Sequence, residues 1–144
     1  MIVHPTDRAG LWILPFAECL RLLGTVPVGR VGFLSDGEVV ILPVNYVADG
    51  QDVVFRSNHG SKLSSVGSKN PVGFEADDYD PRTCSGWSVV VSGYTEVVED
   101  DSEIQRLEHL GLTSWGGAGA DASWIRIRPT SVTGRRTSGA AFAG

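Results

Sequence analysis

Apolar and polar positions alternate along most of this chain with the two-residue period of strands, and the alternation breaks at glycine, proline or Asp-Gly. Val28 to Leu34 is the first such run. Ser35-Asp36-Gly37 then carries the Asp-Gly pair favoured in tight hairpins, because both central residues tolerate positive φ. A second run, Glu38 to Val47, ends in Ala48-Asp49-Gly50, another hairpin signal, and Asp52 to Ser57 completes a three-stranded meander. Asn70-Pro71 introduces a fourth strand, Val72 to Asp78. Trp87 to Val98 is the longest strand-like run, and Gly93 within it predicts a bulge or sharp bend. Trp124-Ile125-Arg126-Ile127-Arg128-Pro129 alternates apolar and basic positions as a final strand should.

Helical spacing appears twice. Pro15 stands at a first turn, Phe16, Cys19, Leu20, Leu22 and Leu23 follow at helical intervals, and Gly24 closes the segment. Asp100-Asp101-Ser102-Glu103 places acids at the start of a second helix, lined by Ile104, Leu107 and Leu110 and ended by Gly111. Leu63 and Val66 predict one further helical turn. The expected fold is therefore mainly β: a six-stranded antiparallel barrel with two or more short flanking helices and no βαβ rhythm.

Composition narrows the class of function. At 144 residues the chain is one domain that buries roughly two-thirds of its unfolded surface, with the domain expected over 1–136 and a flexible tail over 137–144. Twelve basic against 17 acidic side chains give a net charge of -5, which opposes general attraction to nucleic acid or to an anionic membrane. Any anion must be bound locally. Gly, Pro or charge interrupts every apolar run before the ~20 residues needed to cross a bilayer. Met1 to Arg8 carries no export signal, so a cytoplasmic protein is expected. Cys19 and Cys84 lie far apart with no CxxC pair, which predicts two reduced thiols rather than a disulfide or zinc framework.

The richest chemistry lies in Val53-Val54-Phe55-Arg56-Ser57-Asn58-His59-Gly60-Ser61-Lys62. A strand ends there in a loop bracketed by Arg56 and Lys62, with Ser57 and Ser61 as hydroxyl donors and Gly60 allowing close backbone approach. A phosphate dianion gains charge-assisted hydrogen bonds from several sides of such a loop. A solvated hairpin loop that holds two bases has the same composition, and composition alone leaves both readings open.

Five segments in this order resemble the pyridoxamine 5'-phosphate oxidase-like family of split-barrel, flavin-binding proteins, in its small, broadly uncharacterised branch. They are Val28-Gly29-Arg30-Val31-Gly32-Phe33, Leu42-Pro43-Val44-Asn45-Tyr46, Phe55-Arg56-Ser57 with Gly60-Ser61-Lys62, Gly86-Trp87-Ser88-Val89-Val90-Val91-Ser92-Gly93, and Trp124-Ile125-Arg126-Ile127-Arg128-Pro129. The resemblance implies a split β-barrel oxidoreductase that works as a homodimer, with flavin mononucleotide (FMN) at the interface and a small-molecule substrate or reductant. It casts Arg56, Ser57, Ser61 and Lys62 as phosphate ligands and sets Val44 and Asn45 along the isoalloxazine ring. Trp87 and Ser88 then approach the ring from the partner subunit. The chain has no strong match to the substrate-binding basic residues of a true pyridoxamine phosphate oxidase and is short for one, so the resemblance does not carry that specific reaction with it.

The same fold admits other ligands. A deazaflavin on the same loop, haem with His4, His59 or His109 as axial ligand, or a non-catalytic dimeric binding module are the alternatives. His59 either adds a donor or proton-transfer group among the phosphate candidates or is simply solvated. Asp77-Asp78-Tyr79-Asp80 matches no calcium loop and reads as a solvated acidic turn, and no metal is expected. The Gly116-Gly117-Ala118-Gly119 segment lacks the strand and helix of a dinucleotide fingerprint and reads as a connector. Of the four tryptophans, Trp124 is expected in the core, whereas Trp87 and Trp115, beside glycine-rich turns, are candidates for a cofactor cleft. Arg135-Arg136 reads as an exposed basic pair.

Overall fold

A computed structural model describes residues 4–58, 63, 70–113, 115 and 122–137. Among the described residues seven strands and two helices follow in the order β1 (Trp12–Ile13), α1 (Phe16–Leu23), β2 (Val28–Ser35), β3 (Glu38–Asp49), β4 (Asp52–Ser57), β5 (Pro71–Asp80), β6 (Ser85–Val98), α2 (Asp101–Glu108) and β7 (Ser123–Arg136), and Leu63 is also helical. Six strands in the order β7-β4-β3-β2-β5-β6 form an antiparallel sheet that a β6–β7 ladder closes into a barrel. The short β1 adds to β7 outside the ring. Two residues carry too little periodicity to be read from sequence. Among the described residues no helix is long and apolar enough to cross a membrane.

Both Asp-Gly signals lie at hairpins, with one difference in placement. Asp36 and Gly37 take φ of 51° and 77° and join β2 to β3. At the second hairpin Asp49 remains in β3 opposite Asp52, and the two-residue connection is Gly50-Gln51 with Gly50 at φ 63°. The acidic run also departs from expectation. Instead of a turn, Asp77 to Asp80 continue β5, because each finds a partner on β6 from Ser88 to Ser85.

Barrel closure depends on the bend in β6. The β6–β7 register shifts between Ser92 and Gly93, and a Cβ at Gly93 would sit 2.2 Å from the Arg128 carbonyl oxygen. Only glycine allows the two backbones to meet there. Val89 and Val91 then point inward, joining Val31, Phe33, Val53, Phe55, Phe74, Ala76, Ile125 and Ile127 in the main core. The α1 helix closes this core with Cys19, Leu22 and Leu23, and the Tyr46 hydroxyl donates to the Leu23 carbonyl at 2.6 Å.

Strict alternation fails on β4 and β7 because those strands are covered on both faces. Val54 and Trp124 point away from the barrel interior into a second cluster with Val98 and Leu107 of α2. Arg126, a basic position of the alternating strand, is buried on the same side. Its guanidinium pairs with Asp49 at 2.9 Å, Asp52 at 2.8 Å and Glu103 at 2.7 Å, while Arg106 bonds Asp49 and Glu103 at 2.6 and 2.5 Å. Asp100 caps α2 by accepting from the Glu103 backbone N–H at 3.0 Å, as the acidic start predicts. The expected tail begins at Thr137, whose backbone N–H donates to the Gly86 carbonyl at 3.0 Å, and residues 138–144 lie outside those described.

Candidate functional site

The β3–β4 ladder brings the first group of candidates together. Tyr46 pairs with Phe55 at this end of the β3–β4 ladder, and Asn45 precedes Tyr46 on β3 as Arg56 follows Phe55 on β4. Tyr46 and Phe55 are buried in the core, and the period of two turns Asn45 and Arg56 outward. Val44 alternates back and packs its side chain against the core, which leaves its backbone as the part nearest the outer face. Ser57 follows Arg56 at the end of β4 and pairs with Ser123.

Arg56 is half-buried and pre-arranged. Its guanidinium carbon lies 5.7 Å from the centroid of the Trp124 ring, its register partner on β7, and Nη2 donates to the Ala122 carbonyl at 3.4 Å. An aromatic face restricts the side chain. Sequence periodicity places Trp124 in a core but not beneath an arginine, because that contact depends on cross-strand register.

Asn45 links two loops. Its Nδ2 faces the Pro27 carbonyl at 3.5 Å, and its Oδ1 accepts from the Trp115 backbone N–H at 2.9 Å. Alongside lies a cleft of about 380 Å³ lined by residues that include Pro27, Tyr46, Ala48, Leu110 and Thr113. Ser61, Lys62, His59 and Gly60 of the proposed phosphate loop, and the 116–119 connector, lie outside the described residues. Buried Leu63 is the part of that loop region that the structure places, against the main core.

Trp87 and Ser88 stand elsewhere. They pair with Arg136 and Arg135 near the far end of β7, whereas Trp124 near its start partners Arg56. The twelve residue-to-residue steps from Trp124 to Arg136 span roughly 40 Å at ~3.3 Å per residue, before the bend shortens the path. Within one chain these candidates form two groups that do not meet. Around the second group is a cleft of about 220 Å³ lined by Glu75, Asp77, Trp87, Ser88, Arg135 and Arg136 among others. Arg135 and Arg136 are half-buried rather than a free surface pair, with Arg135 bonding Asp7 at 3.0 Å and Arg136 lying 3.7 Å from Glu18.

Glu75 and Asp77 of that cleft share Arg30, whose Nη1 lies 3.4 and 3.3 Å from their carboxylates. Partial burial, and then the hydrogen bond and repulsion from Asp77, push the Glu75 carboxyl up to about 7, against the pull of Arg30. The i, i+2 spacing of Glu75 and Asp77 implies one strand face, but the acidic run read as a loop and concealed it. The other imidazoles have local contacts: His4 stacks on Trp12 at 4.2 Å, and His109 Nδ1 lies 2.6 Å from the Gln105 carbonyl. Cys19 and Cys84 are free thiols, buried and exposed respectively.

On the outer face of β2 and β3, Leu34, Val39 and Ile41 are 61%, 74% and 67% exposed. Gly32 on β2 pairs with Ile41 and with Gly73 of β5, and Gly73 has nothing within 4 Å of a built Cβ. Two glycines flanked by bare aliphatic side chains make this a flat apolar surface.

Comparison with known proteins gives consistent relatives. A family described as Pyridoxamine 5'-phosphate oxidase matches residues 16–136. The uncharacterized protein Rv0080 of Mycobacterium tuberculosis is 39% identical over 125 residues, covering 83% of this chain and 80% of that protein. The FAD binding protein from Mycobacterium smegmatis superimposes with a TM-score of 0.76 at 37% identity, over 88% of this chain and 99% of its own. A conserved protein of unknown function from Corynebacterium diphtheriae superimposes with a TM-score of 0.74 at 33% identity, over 89% and 98% of the two chains.

Proposed function

Given that the chain belongs to the pyridoxamine 5'-phosphate oxidase family, we propose that it is a flavoprotein oxidoreductase that holds FMN by its phosphate at the Arg56 end of the barrel. The observation that carries this reading is that Asn45 and Arg56 flank the Tyr46–Phe55 pair at one end of the β3–β4 ladder, with the Arg56 guanidinium carbon 5.7 Å from the centroid of the Trp124 ring. A fixed cation, the Ser57 hydroxyl beside it and a carboxamide one strand away fit an anion joined to a planar polar ring. In a chain of net charge -5 that local charge is what draws a phosphate. A bound flavin supplies hydride and electron chemistry, and the chain's residues anchor and orient it.

Trp87 and Ser88 enter through a second copy. Their distance from Arg56 in one chain, together with the bare aliphatic surface on β2 and β3, supports a homodimer in which each site draws on both protomers. One observation favours a second reading of the ligand. The 37% identical relative is named as FAD-binding, which supports the dinucleotide as occupant of the same phosphate site.

A thermal-shift screen with FMN, FAD, a deazaflavin and haem tests the proposal. A ligand at one hundred times its Kd adds about 2.7 kcal/mol, which raises Tm by roughly 5 to 11 °C for a chain of this size. FMN or FAD is expected to give that shift. Arg56→Ala removes a charge-assisted contact of about 1 to 3 kcal/mol and weakens flavin affinity by roughly ten- to a hundredfold. A protein unaffected by every flavin, or an unchanged Kd for the variant, refutes the assignment.

A further inference from the structure

Three of the four tryptophans are at least partly covered: Trp124 is buried beneath Arg56, Trp12 stacks on His4, and Trp87 is half-buried beside its cleft. Trp115 differs, being 70% exposed. Its backbone is nonetheless fixed, because its N–H donates to Asn45 Oδ1 at 2.9 Å. An indole offers roughly 150 to 250 Å² of surface to bury, and a fixed backbone leaves only two side-chain torsions to order when something covers it. The contact that fixes it comes from the candidate site itself. Asn45 precedes Tyr46 and Arg56 follows Phe55, the pair at this end of the β3–β4 ladder, so Trp115 is tethered at the same end of the barrel as the proposed phosphate anchor.

From this placement, and resting on the flavin reading above, we infer that Trp115 is the stacking surface for the isoalloxazine ring and that the Asn45 carboxamide positions it. Arg56 already has an aromatic neighbour in Trp124, so the phosphate end does not need Trp115. The Asn45 side of the ladder is where a planar ring extends once the phosphate is held at Arg56. A broad, electron-poor flavin and an electron-rich indole match in shape and in electronic character. Pro27, whose carbonyl faces Asn45 Nδ2 at 3.5 Å, also lines the cleft of about 380 Å³ with Tyr46 and Thr113.

The test is flavin titration of the full-length protein and its Trp115 variants, read both as Kd and as emission of the bound flavin. An indole in contact with an excited flavin donates an electron and quenches it. Bound FMN and FAD are therefore both expected to be dim in the native protein. Trp115→Ala should bind each about tenfold more weakly, the equivalent of one lost aromatic–base stack, and should leave the bound flavin bright. Trp115→Phe should keep most of the affinity yet still brighten the flavin, because benzene stacks without donating an electron. Asn45→Ala should brighten it as well, by releasing the indole from its tether.

If the native protein binds no flavin, the proposed function fails and takes this inference with it. Flavin binding by the native protein with unchanged Kd and emission in Trp115→Ala overturns the inference alone. An effect confined to FAD also overturns it, since it would move the indole to the adenine. So would a variant that changes only the dimer's dissociation constant.

Discussion

Replacing Arg126 with methionine removes a buried cation and leaves three carboxylates behind. Asp49 and Glu103 retain Arg106, but Asp52 is left with Arg128 at 3.8 Å. Removing one partner of a buried ion pair costs about 3 to 5 kcal/mol, because the remaining charge loses its compensation while staying out of water. Here the side chains of Asp49, Asp52 and Glu103 are 16%, 19% and 34% accessible, so water partly replaces the lost guanidinium and the lower end applies. A loss of about 3 kcal/mol lowers Tm by roughly 6 to 12 °C.

The same substitution changes the acid limb. Hydrogen bonding to Arg106, reinforced by Arg126 and opposed by burial, holds the Asp49 carboxyl at about 2. A depressed carboxylate contributes stability above its unfolded value, and that contribution disappears as pH falls from about 4 towards 2. Arg126→Met weakens the depression, so its deficit against wild type should shrink between pH 7 and about pH 3. Urea unfolding at both pH values measures this. A second change, Asp52→Asn in the Arg126→Met background, should recover part of the loss, since it removes the carboxylate with least compensation. A Tm within about 2 °C of wild type, or a deficit that does not change with pH, refutes the view that this network joins β7, the β3–β4 hairpin and α2.

Two other outcomes follow from single contacts. With the Glu75 carboxyl pushed up to about 7, the folded chain holds a proton there that the unfolded chain releases near 4.5. Stability should therefore fall as pH rises from about 4.5 to 7, and Glu75→Gln should flatten that slope in urea unfolding, an unchanged slope ruling out Glu75 as its source. Gly93→Ala places a Cβ 2.2 Å from the Arg128 carbonyl oxygen, so the β6–β7 ladder must part at the bulge. We expect a loss of at least about 2 kcal/mol, measured by urea unfolding, and a Tm equal to wild type would mean that the bulge absorbs a methyl group without strain.

Strand positions, both Asp-Gly hairpins and the acidic cap of α2 were legible in the sequence, because periodicity, turn chemistry and capping act over a few neighbouring residues. The Asp77–Asp80 run was misread for the same reason: its charge resembles a turn, and only pairing to Ser85–Ser88 on β6 makes it a strand. Arg126 appeared as one basic position in an alternating strand. Its burial depends on α2 covering the outer face of β4 and β7, a contact between segments distant in sequence.

The candidate site divides along the same line. Chemical character is carried by residue type, so the cation and hydroxyl of Arg56-Ser57 were visible in the sequence. Asn45 and Arg56 at one end of the β3–β4 ladder, Trp124 opposite Arg56, Trp115 tethered to Asn45 and Trp87 far along β7 come from strand register and barrel closure. Those relations form through long-range pairing, and no local segment encodes them. The sequence by itself therefore determined which chemical groups this chain offers, because residue type carries them, and the tertiary structure decided which side chains share one end of the β-barrel, because strand register does.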